Sequence, residues 1–328
     1  MATKMEKLEV VTIKNKSALE MTISNFGATV IALKVKNAKG EIYNVAAGLK
    51  NASDYLEAPY SDVKLFLGSS IGRYAGRISG GEFEIDDIVY KIENEDGVHL
   101  HGGRNGFFKK FWSVKEVAED RVVLSYVSKN LEEGYPGNLN VEAIFYLTPE
   151  NEVKITYKAI TDQATPVNLT SHVYFNLNGK GSVLDHEFQI NSDFHLDVDS
   201  QLLPTGKLNK SKGTAFDRNE KAKIKREDFK GFDDTFVFNE KQLKASLSSA
   251  ESGISMNIFS NQPAMVIYTP KEFPVLPFSN NNQYEKFPAI CFEPQNFPDA
   301  PNKKHFPNSI LRTNETYLNE MTFAFNFK

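Results

Sequence analysis

Apolar and polar residues alternate along this chain with a dominant period of two. Phe83, Ile85, Tyr90 and Ile92 alternate with polar neighbours on either side of Asp86-Asp87, which predicts a hairpin turning at the two acids. Val153, Ile155, Tyr157 and Ala159 repeat the pattern, as do Met321, Phe323, Phe325 and Phe327. Residues 122–124 and 143–147 are unbroken apolar runs, which predict strands buried on both faces. Clusters of Gly, Pro, Asn and Asp, the residues of turns, separate these runs. Helical signals are few: one turn within 51–57 and a short polar helix within 219–229. Residues 207–225, rich in Lys and polar side chains, read as a surface excursion. No internal repeat and no Gly/Ser linker divides the chain. The pattern predicts an all-β protein of packed antiparallel sheets with few short helices, spanning 1–328 as one domain.

Composition supports that picture and narrows the partners. The 25 Phe and 13 Tyr suit pleated, half-buried surfaces. Charge is nearly balanced, 38 Lys+Arg against 42 Asp+Glu, and spread along the chain. That distribution argues against nucleic acid and anionic membrane as partners and fits a neutral polar ligand. Cys291 is the only cysteine, so no intrachain disulfide forms. The first residues lack the apolar core of a signal peptide, and no run approaches the ~20 apolar residues of a membrane span. The expectation is a soluble cytoplasmic protein, monomer or homodimer, whose sequon at Asn168 is unused.

Three segments could carry chemistry. In Val98-His99-Leu100-His101-Gly102-Gly103, a strand would send both imidazoles from one face, and Gly-Gly permits a sharp turn or close approach of a ligand. A His-x-His pair can chelate zinc, but a catalytic site needs a third ligand, and no HExxH or cysteine cluster offers one. A proton-relay histidine and an ordinary turn histidine are the remaining readings. In residues 168–177 the alternate positions Asn168, Thr170, His172, Tyr174 and Asn176 share one face. That mixture of amide, hydroxyl and ring suits a sugar site, and equally suits a satisfied polar network between strands. Glu293 ends an apolar run and is followed by Pro294. It is either a turn acid or a partly buried carboxyl whose raised pKa equips it as a general base. Arg73 and Arg77 in a Gly-rich stretch, and Asp233-Asp234 between aromatics, add charge for either ion pairing or ligand binding.

Taken in order, these segments resemble the aldose 1-epimerase (galactose mutarotase) family, whose pattern runs GRxANRI, HLHGG, NxTNHxYFNL, GxDHxF, xQxYT and ExQxFPDxPN. The matching residues are Gly72-Arg73-Tyr74-Ala75-Gly76-Arg77-Ile78, His99 to Gly103, Asn168 to Leu177, Gly231 to Phe236, Val266 to Thr269 and Glu293 to Asn302. The resemblance covers nearly the whole chain. It implies a large β-supersandwich, a site for a free hexose, and no cofactor; the local sequence, lacking a third ligand, argues against a metal. It makes Glu293 the general base and His172 the general acid, with His101, Arg77, Asp233 and Tyr174 contacting substrate. Two departures remove polar side chains that would face the sugar: Gly76 stands where the family has Asn, and Val266 where it has Gln. Ser171 in place of Asn is milder. The reaction is expected to survive these changes and the sugar preference to shift. Rival readings are a non-catalytic sugar-binding protein on the same scaffold and a glycoside hydrolase, which would ordinarily require two carboxylates. A third is a 6-phosphate epimerase using Lys303 and Lys304.

Overall fold

The computed structural model describes residues 7–227 and 229–327. A nine-stranded antiparallel sheet forms one layer. Its first five strands in spatial order are Ser113–Val117, Arg121–Ser128, Leu139–Leu147, Glu152–Thr161 and Tyr317–Phe327. Ile254–Ser260, Ala245–Ser248, Glu187–Ile190 and Ala222–Lys223 complete it. A six-stranded sheet forms the second layer, in the order Tyr174–Phe175, Ile290–Gln295, Ala264–Tyr268, Asp233–Phe238, Ser192–Val198 and Pro204–Lys210. A four-stranded sheet of residues within 10–44 packs on the same core. The helices among the described residues are single 3₁₀ turns, such as Ala52–Tyr55. None is long and apolar enough to cross a membrane.

Alternation explains why the layers adhere. Val153, Ile155, Tyr157 and Ala159 are buried and face Met321, Phe323 and Phe325 of the neighbouring strand inside one core cluster. Phe292, Ile290, Ile267, Met265 and Phe236 of the six-stranded sheet join that cluster from the other side, with Phe175 against Phe323 at 5.0 Å and Phe188 against Phe292 at 5.9 Å. The inner face of the six-stranded sheet is thus spent on packing, and the residues between those named point outward.

Most expected elements are present. The hairpin is Glu82–Ile85 with Ile88–Lys91, and Asp86 and Asp87 take φ of 51° and 63°, as a two-residue turn of the right twist requires. Three expectations need correction. In the run 143–147 only Ala143, Phe145 and Leu147 are buried, so that strand is one-faced. The described part of 219–229 forms no helix, Asp228 lying outside the described residues; Ala222–Lys223 instead pairs with Glu187-Phe188. The excursion 207–225 is anchored, since Ser211, Arg218 and Ile224 are buried.

The segment leading to the site is held by Arg73, which is 2% exposed. Its guanidinium donates to the carbonyls of Pro136, Gly137, Ser128 and Lys129 and to the hydroxyls of Ser128 and Thr165. This is neither a surface ion pair nor a ligand contact. Burial lowers its pKa to about 10, which leaves it charged at neutral pH. Arg73→Ala strands several buried carbonyls and is expected to cost roughly 3–5 kcal/mol in urea unfolding. A loss below about 1 kcal/mol would contradict this bracing role.

Candidate active site

The outer face of the six-stranded sheet is the floor of a cavity of about 150 Å³. Register places Thr235 opposite Val266 and Val266 opposite Glu293, and in the next row Asp233 opposite Tyr268. Opposed residues share a face, so Glu293, Val266, Thr235, Asp233 and Tyr268 line the cavity while Phe292, Ile267 and Phe236 enter the core. The same alternation separates the paired acids. Asp233 faces the cavity, while the Asp234 carboxylate accepts the backbone N–H of Asp233 and burial raises its pKa to about 6.

The walls come from loops and short strands. Arg77 begins the strand Arg77–Ser79, which pairs with Val98–Leu100. His101 follows that strand in a turn, with φ of 52°. Gly102 comes next, and a Cβ on it would lie 1.9 Å from the Gly72 carbonyl oxygen, so only glycine fits. His172 is hung between two backbone bonds, its N–H donating to Ser69 O and its carbonyl accepting from Gly68 N–H. Its ring stacks on Tyr174 at 5.0 Å and meets His101 edge-on at 5.6 Å. Phe66 packs on both histidines. Asp299, fully buried, accepts from Ser79 N–H, the Ser79 hydroxyl and Lys303 Nζ, while its own N–H donates to Arg77 O. That clamp ties the loop after Glu293 to the strand of Arg77. It also occupies Lys303, so this lysine is not free to meet a phosphate.

His172 Nε2 lies 3.5 Å from Glu293 Oε1, and both side chains are almost fully buried. His172 Nδ1 and Glu293 Oε2 have no other partner. Burial pushes the Glu293 carboxyl well above the usual carboxylate range, helped by the Asp233 charge and opposed by Arg77. Burial lowers His172 to about 4. Desolvation disfavours the charged form of both groups, which favours a neutral acid beside a neutral imidazole over an ion pair. Arg77 Nη2 approaches Asp233 Oδ2 at 3.4 Å at the more open end of the cavity.

All six residues expected at a site, Glu293, His172, His101, Arg77, Asp233 and Tyr174, line this one cavity. Tyr174 offers only its ring, since its hydroxyl is buried and donates to Leu65 O. His99 and His101 do not share a face. His99 is fully buried, its Nε2 in contact with the Tyr135 hydroxyl and its Nδ1 with Glu93 O. The strand ends at Leu100, and the turn swings His101 the other way. The polar face of 168–176 divides too. Asn168, Thr170 and Asn176 are tied to backbone carbonyls, and only His172 and Tyr174 of that row reach the cavity. Phe66 and Gln295 were missed. Gln295 was legible, standing two positions beyond Glu293 on one strand face; Phe66 carries no local signal.

Folding supplies the third metal ligand that local sequence lacked. Candidate ligand atoms of His101, His172 and Glu293 lie within 4.8 Å of one another. His101 fits a metal poorly all the same. The Gly76 N–H donates to His101 Nδ1 at 3.2 Å, and burial keeps this imidazole neutral. Its proton therefore sits on Nε2, and neither nitrogen has a free lone pair. The ring is set up as a hydrogen-bond donor.

Comparison with known proteins agrees with this geometry. The pattern of the family described as "Aldose 1-epimerase" matches residues 9–324. The chain is 37% identical to "Galactose mutarotase" of Sus scrofa, over 94% of this chain and 91% of that protein. It is 30% identical to "Aldose 1-epimerase" of Escherichia coli, over 96% and 94%. The solved GalM/aldose epimerase homologue from C. elegans superposes with a TM-score of 0.91 at 26% identity, covering 98% and 99% of the two chains. A galactose 1-epimerase from Lactobacillus acidophilus gives 0.84 at 26%, covering 98% of each. The all-β architecture is the galactose mutarotase-like fold, and the chain belongs to the aldose 1-epimerase family.

Proposed function

We propose that Glu293 and His172 are the proton-transfer pair of a mutarotase that interconverts the α and β anomers of a free hexose such as galactose or glucose. The observation that carries this reading is the desolvated contact of 3.5 Å between the two side chains, each with an atom left unpaired on the cavity. Opening a pyranose removes the O1 proton and adds one to O5. The C1–O5 electrons go to O5 while the O1–H electrons form the C1=O1 bond. In the reacting form Glu293 is ionised and His172 protonated, which differs from the resting pair only by one proton moved across the contact. Glu293 then takes the O1 proton and His172 gives its proton to O5. The open aldehyde turns about C1–C2 and recloses, with both transfers reversed. His101 Nε2–H and Arg77 steady charge developing near the ring oxygen. Asp233 orients distant hydroxyls.

Each positioned transfer is worth about 10²–10⁴-fold. Glu293→Gln and His172→Ala are therefore expected to lower kcat by that range in polarimetry of freshly dissolved α-glucose or α-galactose. Near-normal rates in either variant would remove that residue from the mechanism.

The reaction needs one proton on the pair. Below about pH 4 His172 is protonated beside an already protonated Glu293, and no base remains. Above the raised pKa of Glu293 the last proton leaves, and no acid remains. The kcat profile is thus expected to show an acid limb near pH 4 and a basic limb at the raised pKa of Glu293. A midpoint near the ordinary histidine value of about 6.5 would contradict the assignment.

The same burial has a stability consequence. Glu293 is raised in the folded state, so folding binds a proton that the unfolded chain has lost above its ordinary value of 4.5. Its stabilising share is complete below that value and declines as pH rises toward the folded pKa. Glu293→Gln removes the decline, and its Tm at pH 7–8 is expected to exceed that of the parent, with the two converging at low pH. A lower Tm for the variant at neutral pH would argue against a strained neutral acid.

A further inference from the structure

Gln295 is fully buried in the cavity wall, and the proton chemistry gives it no task. Neither its Oε1 nor its Nε2 has a hydrogen-bond partner. Other buried amides are tied down by their donors: Asn168 donates to Ala75 O and Asn296 O, and Asn176 to Lys180 O and Pro288 O. The neighbours of Gln295 on the adjoining strand carry nothing polar. Ala264 stands directly opposite in register, and Val266 lies diagonally across. Gly76 has no side chain, and a Cβ there would lie 3.4 Å from Gln295 Nε2. The amide thus keeps both a donor and an acceptor at the cavity, at the expense of the fold.

We infer that Gln295 is a specificity-determining residue whose amide pairs with one sugar hydroxyl across the ring from C1. The distance supports this choice. Gln295 lies two residues beyond Glu293 on the same strand face, or about 6.8 Å along the strand. That matches the reach from O1 to the hydroxyl on C3 or C4. The assignment rests on the mutarotase reading, because Glu293 at O1 sets the origin of the measurement. It makes this chain's sugar preference depend on Gln295, with Gly76 and Val266 clearing the space around it.

The test pairs a change in the protein with a change in the sugar. Gln295→Met keeps length and apolar contact while removing both polar atoms. Mutarotation is followed for a hexose and its 2-, 3- and 4-deoxy forms. With the parent hexose the variant is expected to show KM raised roughly three- to tenfold at unchanged kcat. With either the 3-deoxy or the 4-deoxy sugar, wild type and variant are expected to share one KM. The variant's Tm is expected to equal or exceed that of wild type, because a structural amide would lose stability when replaced and this one does not. An unchanged KM for the parent sugar, an equal rise for every deoxy sugar, or a lowered Tm would each overturn the inference. Calorimetric titration of the same sugars separates it from the mutarotase reading. Wild type that binds but gives no rate gain over buffer would overturn that reading, while the affinities still decide on Gln295 by the same comparison.

Discussion

The carboxyl group of Glu293 stands in a strand, Ile290–Gln295, of which every residue is buried. Among the described residues no lysine or arginine forms an ion pair with it; Arg77 is engaged with Asp233. Burial disfavours its ionised form, and the imidazole of His172 lies 3.5 Å away. Much of the surrounding structure serves to maintain that contact. The opposite face of the strand packs Phe292 and Ile290 into the main core. His172, on a separate segment, is fixed by backbone bonds at its N–H and carbonyl and by the ring of Tyr174 beneath it.

The two arginines and two histidines of the segments 72–78 and 99–103 divide their work by burial. Arg73 and His99 are consumed by the scaffold, each surrounded by carbonyls or a tyrosine hydroxyl. Arg77 and His101 project into the cavity from the ends of the two strands that the first pair braces. Positive φ at Gly76, His101 and Gly102 is what turns the chain between these assignments. Backbone strain is placed at the cavity rim, where it aims side chains, and is supported by the Asp299 clamp behind it.

The sheets were legible because alternation is a direct image of a two-faced strand, as in residues 153–159 and the Asp86-Asp87 hairpin. The helix expected in 219–229 failed because polar composition says nothing of pairing partners, and Glu187–Ile190 was available to take a strand there. At the site, Glu293, His172 and His101 became visible by their ordered company, not by local physics. Alone, Glu293 and His101 were compatible with turns, and His172 with a polar network between strands. Periodicity misled at His99, because the strand ended one residue earlier than an alternating reading assumed. Phe66 was invisible for a simple reason: it reaches both histidines from a segment more than thirty residues away from either, and only the fold brings it there.

Strand Tyr317–Phe327 lies between Glu152–Thr161 and Ile254–Ser260 in the nine-stranded sheet. It is the last of the described strands in the sequence and sits near the middle of the sheet. During synthesis the two halves of that sheet therefore emerge with a gap between them, each showing an unpaired edge flanked by apolar side chains. Such edges invite pairing with other chains. Met321, Phe323 and Phe325 bridge the halves only once this strand is in place. Until that strand pairs, the residues that build the cavity are not yet held in place.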